Sequence, residues 1–532
     1  MRSVGGARFW AAVVFLNAVL AVRFPEPDRW LLALRPSLDL VALLLVLALL
    51  GAWQVALPRA ARLTLVACAI VARMLRIADG LEQTAYLRRF NFSLDLPLVP
   101  ELVRLFRATL SPPAFVLAVF SVLASLALFA FALNWAVRVA EVGLASPNQL
   151  RALSVLIALL ALLSPWVRGG LFEDSLLWRL DTELRFAARL PGYRGAQRAR
   201  ILAVQRRLAT EPNDLLGLHA RNLYLFLIES YGQAVLDQPR LFSQILPEYQ
   251  KMSEDFAQAG FQVASRMLDS STYGGRSWLA QATLLTSVRT EDSLEFELLR
   301  EAQPYTFAQA FAAAGYRTVL VQPGTVRETS EPDLLHFEHH YFARDLGYAG
   351  PRFGWAMMPD QFVLESVRKK ELGVPGARPL FVTYALVSSH IPWSDLPPLV
   401  DAGKLSADGA EYRNLPGRHF DTSWLALDRA GDAYAAAIVY DLELLRRYIG
   451  EHVHDDSLII VLGDHQPHSG VTGGSPQSGV PVHVLSRNGA FIAPFRSRGY
   501  TPGMLANEAL PRPGLEALLP GLLADFSNAR IG

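Results

Sequence analysis

"SLIIVLGDHQPH", Ser457–His468, is an unbroken run of aliphatic and β-branched residues that stops at Gly463 and passes into Asp464 and His465. Such a run, closed by a turn residue, reads as a strand buried on both faces of a parallel sheet. Open α/β sheets bind ligands just beyond the carboxyl ends of their strands. An Asp-His pair at that position either decorates a surface turn or forms part of a site. The other strand ends decide which.

Three further runs have the same character: "LYLFLIES" (223–230), "RTVLVQ" (317–322) and "PLFVTYALVSSH" (379–390). Helical segments fall between them at 233–258, 304–315 and 424–452. Strands alternating with helices imply an α/β domain whose mostly parallel central sheet is flanked by helices. The Pro- and Gly-rich stretches 346–360 and 391–418 read as long loops, a length that usually serves function. The first strand ends in Glu229 and another ends in His390. With Asp464 and His465, the strand ends therefore carry two carboxylates and imidazoles. That donor set suits one divalent ion, Mn²⁺ or Zn²⁺ first and Mg²⁺ third.

A metal of this kind needs a nucleophile to activate. "DSSTYGGRSWLAQATLLTSV" (269–288) offers one, because a Gly-Gly pair precedes Ser277 and an apolar helical pattern follows it. A hydroxyl at a helix N-terminus sits where backbone N–H groups and the dipole favour an oxyanion or a phosphate. The plain structural alternative is that Ser277 is an N-cap. Ser270, Ser271 and Thr272 are rival hydroxyls just upstream. His468 and His483 are further imidazoles that either line the pocket or serve strand and loop.

At 532 residues the chain is too long for one ordinary core. Its net charge of +1 argues for neither nucleic acid nor an acidic partner. The apolar share of 52% is high, and the excess lies in the first third. Five apolar stretches lie near 8–24, 38–57, 60–76, 113–138 and 150–168. A helix crosses a bilayer core with about 20 apolar residues. The expectation is a five-helix transmembrane domain over 1–170, an amphipathic juxtamembrane linker on the bilayer surface over 171–214, and a soluble domain over 215–532. The third stretch is cut by Arg73 and Arg76, so an interfacial or re-entrant helix is its alternative. Arg2, Arg8, Arg59, Arg62, Arg138 and Arg151 favour a cytoplasmic N-terminus, against Arg88, Arg89, Arg104 and Arg107 on the other face. The single cysteine, Cys68, rules out an intrachain disulfide.

Together, "FLIESYG", "GGRSWLAQA", "LVSSHIPW" and "GDHQPH" resemble the ordered motifs of the alkaline phosphatase/sulfatase superfamily. More narrowly they resemble its membrane-anchored branch of lipoteichoic acid synthase and phosphoglycerol transferase I. The resemblance implies metal ligation by Glu229, Asp464 and His465, with Ser277 as both ligand and nucleophile. The family carries threonine there, and this chain has serine. It implies a substrate-binding and catalytic role for His390, and a headgroup-holding arginine at Arg327 or, second, Arg344.

The implied activity moves phosphoglycerol from a phosphatidylglycerol donor to an envelope glycan or glycerol-phosphate polymer. The protein would then lie in the bacterial inner membrane with its catalytic domain extracytoplasmic. A phosphoethanolamine transferase is the alternative, although such enzymes carry disulfides that one cysteine cannot make. A sulfatase would need a Cys/Ser-x-Pro-x-Arg setting, which "RSWLAQA" lacks. A non-catalytic membrane assembly or sensing protein would not require the full set of reactive residue types.

Overall fold

The computed structural model describes residues 5–21, 35–100, 103, 107, 111–163, 172, 176–325, 334–372, 378–422, 430–507 and 510–527. The chain divides into two compact units, Met1–Thr84 with Arg88–Gly192, and Ala85–Leu87 with Tyr193–Gly532.

In the first unit, the helices Gly6–Ala21, Leu38–Ala52 and Pro112–Leu144 pack through Phe9, Leu16, Leu44, Leu133, Val137 and Ala140. Pro112–Leu144 has 33 residues and a length of about 50 Å. Val116, Phe120, Leu123 and Phe131 stand exposed along it. Among the described residues it is the one helix long and apolar enough to cross a membrane.

The expectation of five such helices is corrected on physical grounds. Among the described residues, Gly6–Ala21, Leu38–Ala52 and Pro147–Leu163 are apolar but extend over only 16, 15 and 17 residues. Those lengths fall short of the roughly 20 residues a bilayer core asks. Arg59–Tyr86 is long enough, but Arg62, Arg73, Arg76, Asp79 and Glu82 break its apolar surface. Within the linker the described residues form one 35-residue helix, Leu176–Thr210. Its residues from Tyr193 onward belong to the second unit, where Tyr193 donates to Glu295 Oε1 at 2.8 Å.

The second unit is built on an eight-stranded sheet in the order β10-β2-β9-β8-β1-β5-β3-β4. The strands are β1 Leu223–Ile228, β2 Gln262–Asp269, β3 Arg317–Gln322, β4 His339–Phe342, β5 Leu380–Leu386, β8 Leu458–Gly463, β9 Gly479–Ser486 and β10 Thr501–Pro502. A separate two-stranded hairpin joins β6 Asp395–Leu396 to β7 Arg418–His419. The five strands β8, β1, β5, β3 and β4 run parallel, while β9 is antiparallel to both its neighbours. Every residue of β1, β5 and β8 is buried. That is why their sequences are continuous apolar runs rather than alternating ones. Helices Pro239–Gln258 and Gly431–His452 cover one face, contributing Met252, Phe256, Ile438 and Leu445 to the core.

This topology positions the site. β1 lies between β5 and β8, and Ile228 pairs with both Leu386 and Gly463. Parallel neighbours end at the same edge of the sheet, so the chain beyond each strand emerges there together. Gly463 has a packing reason at this edge, since a Cβ on it would lie 1.7 Å from the carbonyl oxygen of Tyr231. A backbone atom cannot swing aside. Gly463→Ala is expected to cost about 3 kcal/mol or more, read as an earlier thermal unfolding transition. An unshifted transition would contradict this close approach.

Candidate active site

Glu229, Asp464 and His465 converge beyond the ends of β1 and β8, each buried, with one ligand atom apiece lying within 4.8 Å of the others. His465 Nε2 is 3.2 Å from Glu229 Oε1 and 3.6 Å from Asp464 Oδ2. The backbone aims these groups. Asp464 Oδ1 accepts the N–H of Ser230 at 2.8 Å and of His465 at 2.7 Å. His465 Nδ1 donates to Gln466 O at 2.7 Å, which leaves Nε2 as the atom turned toward the carboxylates. A ligating imidazole is fixed in this way by its second nitrogen.

Ser277 completes the cluster. Gly274, Gly275 and Arg276 all have positive φ, which turns the chain sharply before the helix Ser277–Thr286. Ser277 is the first helical residue rather than the cap, and Arg276 occupies the cap position. Its Oγ donates to Glu229 Oε2 at 2.8 Å and lies 3.1 Å from His465 Nε2. Two of the three rival hydroxyls are committed elsewhere. Ser270 Oγ donates to Asp464 O at 2.5 Å, and Ser271 Oγ accepts from Thr283 Oγ1 at 2.8 Å.

Three buried titrating groups share one field. Burial resists ionisation of Glu229, but the hydrogen bond and charge of His465, with His390 and Ser277, hold its carboxyl down at about 2. Burial and then the charge of Glu229 push Asp464 up to about 7. Burial would lower His465, yet Asp464 and Glu229 raise it to about 9. Two carboxylates and an imidazole, wholly buried and convergent, fit a divalent cation.

A metal-ligating imidazole must be neutral at the ligating atom. Taking up an ion therefore requires His465 to surrender its Nε2 proton. Mn²⁺ or Zn²⁺ affinity, measured by calorimetry, is expected to strengthen from pH 6 toward pH 9, with proton release. Affinity independent of pH would contradict this ligand set.

His390 stands beside the cluster. Its Nδ1 donates to Ile391 O at 2.6 Å, and its ring stacks on Trp355. Burial lowers its pKa, opposed by the charge of Glu229. The neutral imidazole therefore predominates near pH 7, with a lone pair on Nε2. Of the two predicted headgroup arginines, Arg327 lies outside the described residues. Arg344 is exposed, 3.6 Å from Asp345 Oδ1 and over the ring of Phe342. His483 does not line a pocket: it is fully buried, bonded to Tyr231 at 2.9 Å and to Ser265 at 2.7 Å. His468 caps the short turn Ser469–Thr472, accepting from Gly470 N at 3.0 Å.

Sequence reasoning missed a supporting layer. Asp360 Oδ2 accepts the N–H of Val387 at 2.9 Å and of Ser388 at 2.5 Å, fixing the turn that leads to His390. Ser389 Oγ donates to Glu229 O at 2.8 Å and ties that turn to the cluster. Burial first, and Glu229 among the charges, push Asp360 up to about 6. Asp441, wholly buried nearby on Gly431–His452, is pushed well above its ordinary range by burial and then by Asp360. The Pro-Asp start of Asp360–Glu371 was the available signal for Asp360, but it reads equally as an ordinary helix beginning.

No family model and no curated protein matches the chain. Solved structures do. A lipoteichoic acid synthase of Listeria monocytogenes aligns at 13% identity and TM-score 0.35, over 50% of this chain and 66% of the other, just under two thirds. A phosphoglycerol transferase of Streptococcus pyogenes, in complex with sn-glycerol-1-phosphate, aligns at 13% and 0.37, over 62% and 92%. The integral membrane lipooligosaccharide phosphoethanolamine transferase A of Neisseria meningitidis aligns at 11% and 0.44, over 98% and 96%. The likeness is remote, and the chemistry of the site rests on its own geometry.

Proposed function

We propose that the protein is a membrane-anchored phosphotransferase that moves phosphoglycerol from phosphatidylglycerol to a hydroxyl-bearing envelope acceptor through a covalent phosphoserine. The observation that carries this reading is the hydroxyl of Ser277, held 2.8 Å from Glu229 and 3.1 Å from His465 at the start of a helix. Serine needs activation to act as a nucleophile. A divalent ion held by Glu229, Asp464, His465 and Ser277 would lower the pKa of that hydroxyl and offset charge developing on the phosphate.

The chain's own residues supply the rest. Ser277 Oγ forms a bond to phosphorus as the bond to the diacylglycerol oxygen breaks, and the Ser277 proton ends on the departing alcohol. In the second half an acceptor hydroxyl attacks the phosphorus as the Ser277 Oγ–P bond breaks; its proton is taken at His390 Nε2 and then returns the departing Ser277 Oγ to its hydroxyl. The neutral state of His390 suits this role as base better than that of a standing acid. The N–H groups at the start of Ser277–Thr286 favour the phosphate oxygens. Arg327 and Arg344 remain the proposed headgroup contacts. The apolar helix Pro112–Leu144 would hold the chain in the membrane that contains its lipid donor, with the second unit extracytoplasmic.

Incubation of the full chain with headgroup-labelled phosphatidylglycerol, and separately phosphatidylethanolamine, tests the donor. Label captured from phosphatidylglycerol alone is expected. Capture from phosphatidylethanolamine alone would assign the other headgroup, and capture from neither would end the phosphotransferase reading.

A further inference from the structure

The loop that delivers Ser277 is gripped from two sides. Gly274, Gly275 and Arg276 have φ of +70°, +147° and +64°, conformations that L side chains rarely adopt. Arg276 lacks the freedom of glycine, and such a backbone persists only where its surroundings hold it. One grip comes from the end of β8. Gly274 N–H donates to Gln466 O at 3.0 Å, and Tyr273 forms a bridge with Gln466, the residue after His465. The other grip comes from Ala85 and Tyr86, far upstream in sequence yet part of the second unit. The carbonyl oxygen of Ala85 fills the place that a Cβ on Gly274 would need, and a Cβ on Gly275 would stand 3.2 Å from the edge of the Tyr86 ring. The Arg276 guanidinium lies over that ring, 4.6 Å from its centroid. Ser277 is the next residue and opens the helix.

We propose that Tyr86 is a positioning residue for the Ser277 nucleophile, acting through Arg276. This rests on the phosphotransfer reading above and adds to it a residue that lies outside every motif-bearing segment. A guanidinium over an aromatic face is attracted by the quadrupole of the ring. That attraction anchors the Arg276 side chain, while Ala85 and Gln466 pin Gly274 from opposite sides. The backbone between them is thereby fixed, and it sets Ser277 Oγ at 2.8 Å from Glu229 and 3.1 Å from His465. A small misplacement of an attacking atom is costly in rate. Glu229 and His465 stand on the ends of β1 and β8 and meet each other at 3.2 Å without help from this loop. Loosening the grip of Tyr86 therefore moves the nucleophile and leaves those ligands in place. The signature is a slower attack at unchanged lipid binding. Phenylalanine presents the same ring face to Arg276, so the Tyr86 hydroxyl is dispensable.

The test follows labelling of Ser277 in the full-length protein, in phosphatidylcholine nanodiscs that carry headgroup-labelled phosphatidylglycerol, with Mn²⁺ and no acceptor. Tyr86→Leu keeps apolar bulk but has no π face. It is expected to lower the maximal labelling rate about ten-fold, with the half-saturating lipid fraction unchanged. Tyr86→Phe should keep most of the wild-type rate. Arg276→Met should lose about as much as Tyr86→Leu, and the double variant no more than either alone. An undiminished rate in Tyr86→Leu, an equal loss in Tyr86→Phe, or losses that multiply in the double variant would overturn the proposal. Where Tyr86→Leu does not fold, Arg276→Met carries the comparison with wild type, and an undiminished rate there counts against it. Amide hydrogen exchange of the peptide 273–280, measured without lipid, reads the grip apart from the chemistry. Exchange should quicken in Tyr86→Leu and Arg276→Met but not in Tyr86→Phe, and unchanged exchange in the first two would contradict the grip. A wild type that never labels Ser277 would end the phosphotransfer reading instead, while the exchange comparison would still decide whether Tyr86 holds this loop.

Discussion

Ser277→Ala is expected to lower phosphotransfer by about 10³-fold or more, because the group that forms the covalent intermediate is gone. The fold should survive. Glu229 keeps its contact with His465 at 3.2 Å, and losing one serine hydrogen bond costs about 1 kcal/mol. Two of the neighbouring hydroxyls cannot substitute from where they stand. Ser270 is committed to the carbonyl of Asp464, and Ser271 to Thr283. Ser271→Ala and Thr272→Ala therefore make informative comparisons in the same transfer assay. A loss from either that matched the loss from Ser277→Ala, with wild-type thermal stability, would move the nucleophile upstream.

Glu229→Gln carries the second large effect. Glu229 touches both Ser277 and His465, so the substitution removes a ligand charge and weakens the hydrogen bond that Ser277 donates. Activity is expected to fall about 10³-fold or more. Stability supplies an independent reading. An ion that binds only the folded chain stabilises it by about 2.7 kcal/mol at a hundred times its dissociation constant. Wild type should therefore unfold later when Mn²⁺ or Zn²⁺ is added, and earlier again with a chelator. Glu229→Gln should show little of this response. A variant that kept both the activity and the metal-dependent shift would remove Glu229 from the centre.

The parts of the site that could be read from sequence were those at strand ends. β1, β5 and β8 are buried on both faces, so each appears as a continuous apolar run and its final polar residue stands out. Glu229, Asp464 and His465 could be found this way because three-dimensional adjacency followed from parallel neighbours ending at one edge. β2 and β9 did not stand out, since Ser265, Arg266, Pro481 and His483 interrupt their apolar pattern. Asp360 and Asp441 lie on helices, where an acidic residue is ordinary, and only tertiary packing places them behind His390.

Trp355 sat in a loop whose length signalled function but whose individual residues did not. The membrane third misled for a different reason. Apolar composition reports burial in lipid or protein alike, whereas crossing a bilayer also depends on where each helix ends. Arg59–Tyr86 shows the same limit from the other side, as a long helix whose charges interrupt its apolar surface.

The most direct measurement is peptide mapping by mass spectrometry after brief incubation of the full chain with headgroup-labelled phosphatidylglycerol, in the presence of Mn²⁺ or Zn²⁺ and without acceptor. Phosphoglycerol on Ser277, absent when a chelator is present and absent in Glu229→Gln, is the predicted result. Turnover of the lipid with Ser277 unmodified, or label on a different residue, would contradict it.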